Sequence, residues 1–249
     1  MKRKGDHSTF NLQSSIFNLS SCKFITYQSN WQVVPNIFYN FARSILQKSN
    51  SMRITRARKE WAEVIASLIM KAMNHECCKW FAGPNHTLDD FHNLMTRLVG
   101  MEDSQYSYMN TLVAVTDDES VAGICTSYDG SRLRELRKAF VNGALEAFGI
   151  DYSNMEDETQ GGELYIDSLC VAEEYRNKGI AKMLINATID KARDMEIPLV
   201  GLLVDKNNPK AEKLYASVGF HYANDSEWGG HEMRHLICRS YPTLPSQEG

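Results

Sequence analysis

Strand-like and helical stretches alternate along this sequence as a mixed α/β domain requires: a central twisted mixed sheet flanked by helices, with a helical insertion between two central strands. Three observations predict it. After Met52 the apolar residues switch repeatedly between a period of 2 and a period of 3.6, the elements so marked run β-α-α-β-β-α-β-α-β-α-β-β, and no segment repeats another. At 249 residues, 43% hydrophobic and 23% charged, the chain has room for one large domain, or for one domain plus an appendage.

The elements follow in order. "SMRITRA" alternates like a short strand, and "RKEWAEVIASLIMKAMN" places Trp61, Val64, Ile65, Leu68 and Ala72 at helical spacing. "TLDDFHNLMTRLV" starts with Thr87 at an N-cap and Asp90 three residues on, and it puts Phe91, Leu94, Met95 and Leu98 on one face. "YMNTLVAVTDDESVAGICTSY" reads as two strands around the turn 117–120. Residues 131–149 form a helix with Leu133, Leu136, Phe140, Leu145 and Phe148 apolar and Gly149 as its stop, and this helix with the following acidic loop makes an insertion over about 129–162. Next come the apolar strand "ELYIDSLCV", a helix with the stripe Ala181, Leu184, Ile185, Thr188, Ala192 and Met195, the strand "LVGLLV", the helix "NPKAEKLYASVG" and a last hairpin in "HYANDSEWGGHEMRHLICR".

Residues 1–51 stand apart. Rich in Asn, Ser, Phe and Gln and without a sustained period, they read as a poorly ordered or peripheral extension, or as the product of an upstream start codon. The domain then spans 52–240, with a tail over 241–249. The extension holds six basic residues and one acid, so the net charge of -4 leaves the body with 21 basic and 30 acidic residues, a balance that argues against a nucleic-acid partner. No apolar run approaches the ~18 residues that span a bilayer, and the basic start is followed by polar residues rather than an apolar signal core. Membrane insertion and export are therefore not expected. Six scattered cysteines in a chain of this size read as reduced thiols in the cytoplasm.

One loop carries chemistry. In "VAEEYRNKGIAKMLI" an apolar strand passes through a charged, glycine-bearing turn into an amphipathic helix, which aims the free N–H groups of the helix's first turn at one spot. Such a spot binds phosphate. Gly179 permits close approach, Arg176 and Lys178 add charge, and small Ala181 leaves room; an ordinary strand-to-helix turn with solvated basic residues is the alternative. The loop matches neither the dinucleotide pattern G-x-G-x-x-G nor a nucleotide P-loop.

What it does match is Arg/Gln-x-x-Gly-x-Gly/Ala after an apolar strand, followed beyond "LVGLLV" by "DKNNPKAEKLYASVGF". In these two linked motifs the sequence resembles the GNAT superfamily of acyl-CoA-dependent N-acetyltransferases, strongly over 163–220 and in element order from Met52 to Arg239. The resemblance implies that the backbone around Arg176, Asn177, Lys178, Gly179, Ile180 and Ala181 cradles the pyrophosphate of acetyl-CoA. It also implies that the strand edge from Leu169 through Cys170 to Val171 pairs with the pantetheine arm between two splayed strands, with a bulge leaving a free N–H near Cys170 or Val171 for the thioester carbonyl.

Asn208 is a natural N-cap before Pro209, to which the resemblance adds a cofactor hydrogen bond. Tyr215 could be a core aromatic by spacing alone; by resemblance it is the general acid that protonates the leaving thiolate. The acceptor is a primary amine, of a small molecule or of a protein, and it must lose a proton before it attacks. Leu203 occupies a position where some relatives carry a glutamate, so the base is sought at Asp167 or Glu163, which share one face of a strand with Tyr165; a solvated strand-end acid is the alternative for Glu163.

Asp151, Glu156, Asp157 and Glu158 form either a solvated face or a negative lip for a cationic amine. His75, Cys77, Cys78 and His86 lack zinc spacing, so no metal is expected, and the segment reads as a helix terminus with packed Trp80 and Phe81. Cys170 is set aside as a nucleophile, since the family transfers the acyl group directly. An acyl-CoA-binding protein without turnover is the competing reading, and the oligomeric state stays open, a homodimer included.

Overall fold

A computed structural model describes residues 52–241, so the expectations for residues 1–51 and for most of the tail lie outside the described residues. Seven strands form one sheet in the order β1-β2-β3-β4-β5-β7-β6. The strands are β1 (Arg53–Arg56), β2 (Thr111–Val115), β3 (Val121–Asp129), β4 (Glu163–Val171), β5 (Leu199–Asp205), β6 (His221–Trp228) and β7 (His231–Arg239). All neighbours are antiparallel except β4 and β5, which run parallel because a helix returns the chain between them.

The helices are α1 (Ala62–Met73), α2 (His75–Ala82), α3 (Leu88–Val99), α4 (Leu133–Phe148), α5 (Ile180–Asp194) and α6 (Pro209–Ala216). Pleating sends alternate residues to opposite faces, and the sheet has a core on each. Val113 and Val115 join Ile124 and Cys170 under α1, α2, α3 and α4, whereas Ala114 joins Leu164, Ile166 and Leu202 under α5.

Local signals set the helix ends. Thr87 and Asp90 form the expected capping box, with the Thr87 hydroxyl accepting from the Asp90 N–H at 3.1 Å and the Thr87 N–H donating to the Asp90 carboxylate at 2.8 Å. Gly149 closes α4 in the left-handed conformation, φ 70°.

The stretch read as a helix terminus is a helix of its own, α2. Asn74 breaks α1 at φ 69° and caps α2 by accepting from the Cys77 N–H at 3.0 Å. Phe81 is buried, but Trp80 is 57% exposed, so only one of that aromatic pair is packed. Four further residues assigned to apolar stripes, Val64, Ala72, Leu145 and Met195, lie at the surface. Their spacing put them at the margin of each helix's buried face, where burial is decided by what packs alongside.

Candidate active site

The strands β4 and β5 pair through three residues only, Glu163 with Leu199, Leu164 with Val200 and Tyr165 with Gly201. Beyond them β4 stays on β3 as far as Val171 and β5 stays on β7 as far as Asp205, so a gap opens between the C-terminal halves of β4 and β5. The Ala172 N–H donates to the Ala122 carbonyl at 2.9 Å, and alternation along the antiparallel ladder then makes Ile124 with Cys170 and Thr126 with Ser168 the hydrogen-bonded pairs. The backbone groups of Leu169 and Val171 therefore face the gap.

This corrects the expectation of a bulge near Cys170. The register slips between Thr126 and Ser127, which makes Asp167 the extra residue on β4, while the Cys170 N–H is engaged with β3. Val171 is left as the gap-facing donor. Burial raises the Cys170 thiol's pKa, keeping it protonated.

Below the gap the loop runs into α5. Asn177 at φ 63° and Gly179 at φ 78° both adopt left-handed conformations, and this alternation turns successive N–H groups toward a common concavity. Helix α5 begins on Gly179 without a side-chain cap and without an acid in its first turn. A Cβ on Gly179 would meet nothing within 4 Å, so the space before the helix is open. Ile180 is buried and anchors the turn, with Ala181 beside it partly exposed. Arg176 leans back, its Nε donating to the Val171 carbonyl at 3.2 Å, and Lys178 lies 5.2 Å from the Tyr175 ring. The loop fits an anion at the helix start, and the gap above it fits an extended chain.

On the other side of the gap, Asn208 caps α6 by accepting from the Ala211 N–H at 3.2 Å, with Pro209 following. Tyr215 packs partly buried with the α5-side core, its ring 5.7 Å from Phe220; loss of hydration raises its pKa and holds its proton firmly.

The two residues sought for the base, and Tyr165 between them, separate. Glu163 is 3% exposed, neither solvated nor beside the gap's open half: His235 Nε2 donates to it at 2.8 Å, Thr159 also donates to it, and its carboxylate fills the space where a Cβ on Gly201 would sit. Tyr165 is buried with Tyr128, Leu133 and Leu136, against which Leu203 packs. Asp167, at the bulge where the gap begins, keeps some accessible surface yet lies deep enough that lost hydration, reinforced by the charge of Glu158, raises its pKa to about 7. Ser168 donates to it at 2.7 Å and the Gln105 amide at 3.4 Å, both favouring the charged form.

Residues that no sequence motif marks surround it. Glu158, expected at a solvated lip or face, is 7% exposed and accepts from Tyr128 at 2.9 Å, from the Trp228 indole at 3.2 Å and from Arg137. Arg137 lies on the buried stripe of α4 between Leu133 and Phe140, a charged residue in an apolar row and so a legible signal of a buried partner. Asp157 binds Arg134 at 2.8 Å and Arg137 at 3.4 Å, and the Asp151 carboxylate accepts from the Ser153 N–H. Of the acidic run only Glu158 turns inward, Asp157 bridges Arg137 to surface-exposed Arg134, and Asp151 and Glu156 stay outside this clamp. Cys77 and Cys78 carry thiols pushed up by burial, and no group of three or more potential metal ligands occurs among the described residues.

Comparison with known proteins bears on this geometry. Residues 71–220, well over half of the chain, match the family described as Acetyltransferase (GNAT). GCN5-related N-acetyltransferase 4, chloroplastic, of Arabidopsis thaliana is 29% identical over 157 residues, which covers 58% of this chain and 54% of that one. GCN5-related N-acetyltransferase 6, chloroplastic, of the same plant is 37% identical over 67 residues, 27% of this chain and 23% of its own length. The chain thus spans at most about half the length of these two relatives. Among solved structures, an N-acetyltransferase from Staphylococcus aureus Mu50 superposes with a TM-score of 0.63 at 26% identity over 74% of this chain and 99% of its own. A second structure, described as an acetyltransferase, gives 0.62 at 26% identity over 76% of this chain and 100% of its own. With its mixed seven-stranded sheet, the parting of β4 from β5 and the uncapped start of α5, the chain belongs to the GNAT acetyltransferase family.

Proposed function

We propose that this protein transfers an acetyl group from acetyl-CoA to a primary amine by direct attack within a ternary complex. The observation that carries the reading is the gap between the C-terminal halves of β4 and β5, with β4 leading through residues 172–179 into the uncapped, left-handed start of α5. An extended pantetheine arm can replace the missing strand pairing, its amides meeting the backbone groups of Leu169 and the Val171 N–H, while the N–H groups from Asn177 to Ala181 take the pyrophosphate. Acetyl-CoA supplies the acetyl group as a thioester.

The residues of the chain handle the protons. A carboxylate with a pKa of about 7 is matched to operation near neutrality, so Asp167 accepts the proton of the incoming ammonium. The N–C bond then forms as the C–S bond breaks, the Val171 N–H holding the carbonyl oxygen; the Tyr215 hydroxyl gives its proton to the departing thiolate, and the second proton that the amine nitrogen loses restores the phenol. Glu163, tied to His235, is a structural carboxylate beneath Gly201.

Free-thiol release from acetyl-CoA against a panel of polyamines, amino acids, aminoglycosides and peptides tests the reading, after a thermal-shift measurement of acetyl-CoA binding. Release that requires both enzyme and amine supports it; binding without release from any amine favours an acyl-CoA-binding protein without turnover. The scattered cysteine pattern is the support for the proposed cytoplasmic location, and fractionation of cells carrying the tagged protein checks it.

A further inference from the structure

A buried side chain next to Asp167 has half of its hydrogen-bonding capacity unused. Gln105 is 3% exposed in a wholly buried segment, Ser104 to Ser107, that reaches the α1-to-α4 face of the sheet just ahead of β2. That segment is held rigidly. The Asn110 amide donates to the carbonyls of Ser104 at 3.0 Å and Gln105 at 3.3 Å, the Tyr106 N–H donates to the Ser104 hydroxyl at 3.2 Å, and the Thr111 hydroxyl donates to the Ser107 carbonyl at 3.0 Å.

Within it, Gln105 Nε2 donates to the Asp167 carboxylate, while Gln105 Oε1, shut off from solvent, has no partner. An ionised carboxylate only accepts, so in the charged form of Asp167, the form that acts as base, the contact sets which end of the amide faces it and leaves the carbonyl oxygen as an acceptor with nothing donating to it. An unfilled acceptor in a buried setting is costly unless something arrives to fill it. What is missing is a donor, and an ammonium supplies three.

We propose that Gln105 is the receptor for the acceptor amine: its Oε1 takes one N–H of the incoming ammonium while its Nε2 holds the base, so that one rigid side chain aligns nucleophile and Asp167. This rests on the reading of Asp167 as base. The charges around Asp167 suit a single compact cation. Glu158 from the acidic loop adds negative charge, the one cation that acts on Asp167, Arg137 from α4, is already engaged by Glu158 and Asp157, and Cys77 from α2, Tyr106 beside Gln105, Tyr128 from β3 and Tyr165 from β4 keep their protons and stay neutral. The site is thus left with acceptor oxygen and negative charge in excess, and the ligand it completes itself with carries N–H donors and positive charge.

The test is steady-state kinetics of the full chain with acetyl-CoA and whichever panel amine gives the fastest thiol release, comparing wild type, Gln105→Met, Gln105→Glu and Asp167→Asn. Gln105→Met keeps the length but removes both polar ends. Roughly a tenfold to hundredfold rise in amine KM is expected, the value of one hydrogen bond from a charged donor, with acetyl-CoA KM unchanged within about twofold. Gln105→Glu keeps an acceptor oxygen, so amine KM stays within about threefold, while like charge beside Asp167 moves the acid limb of the kcat/KM profile to higher pH.

An amine KM for Gln105→Met within about twofold of wild type overturns the assignment, as does Gln105→Glu weakening the amine as severely as Gln105→Met does; if Gln105→Met does not fold, a rise of about tenfold or more in the amine KM of Gln105→Glu over wild type overturns it, and a KM within about threefold supports it. Failure of the base reading shows separately, as undiminished turnover in Asp167→Asn. Absence of turnover with every amine overturns both.

Discussion

Replacing Asp167 by asparagine should make the protein more stable and less active, and the stability gain should depend on pH in a defined way. In the folded chain the carboxyl's pKa lies at about 7 against an ordinary 3.8. That difference corresponds to about 4 kcal/mol between its charged and neutral forms. Between these pH values the native state keeps a proton that the unfolded chain has released, so the wild type loses stability as pH rises from about 4 to about 7 and levels off above. Asparagine has the same shape and no charge to desolvate. Urea unfolding of wild type and Asp167→Asn should give nearly equal free energies at pH 4, with the variant ahead by up to about 4 kcal/mol at pH 8. Turnover near neutral pH should fall by roughly 10² to 10⁴, the range of a lost general base, and the acid limb near pH 7 should vanish. A stability difference that stays constant between pH 4 and pH 8 would refute the argument, because the raised pKa would then not belong to Asp167.

Other outcomes follow from the same geometry. Tyr215→Phe keeps the ring against Phe220 and removes only the hydroxyl, so kcat should drop about tenfold or more while acetyl-CoA affinity, read by calorimetry, barely moves. Gly179→Ala has room for its Cβ but must hold φ 78°, at about 1 to 2 kcal/mol; relaxation of that strain should disorder the N–H cradle and weaken acetyl-CoA in the same calorimeter. Glu158→Ala strands Arg137 without its closest carboxylate and should destabilise the fold by about 3 to 5 kcal/mol in urea unfolding. Reversing Asp151 and Glu156 to lysine should raise KM for a cationic amine if a negative lip operates, and an unchanged KM removes that role.

Most of the fold is legible in the sequence because the apolar spacing of each element is long enough to declare a period, and because its punctuation is chemically explicit. The Thr87–Asp90 box and the Gly149 stop are spelled out by residue type and spacing alone. The cofactor side is legible for a different reason: a loop that works through its backbone leaves glycine and small residues at fixed spacing. The acceptor side is not. Gln105, Glu158, Trp228 and His235 come from four separate segments, and nothing in the local pattern of each says that the chain folds it toward Asp167 or Glu163. Even the acidic loop, whose charges invite a solvated reading, turns one of its carboxylates inward because Arg137 waits on the buried stripe of α4.

On the proposed reading, the gap between β4 and β5 and the start of α5 hold acetyl-CoA for transfer to an amine. The most direct measurement is free-thiol release from acetyl-CoA by the purified chain across the amine panel. Release that depends on enzyme and on one class of amine, and that Asp167→Asn and Tyr215→Phe each depress, is the predicted result. No thiol release from any amine, whether or not acetyl-CoA shifts the melting temperature, would contradict it.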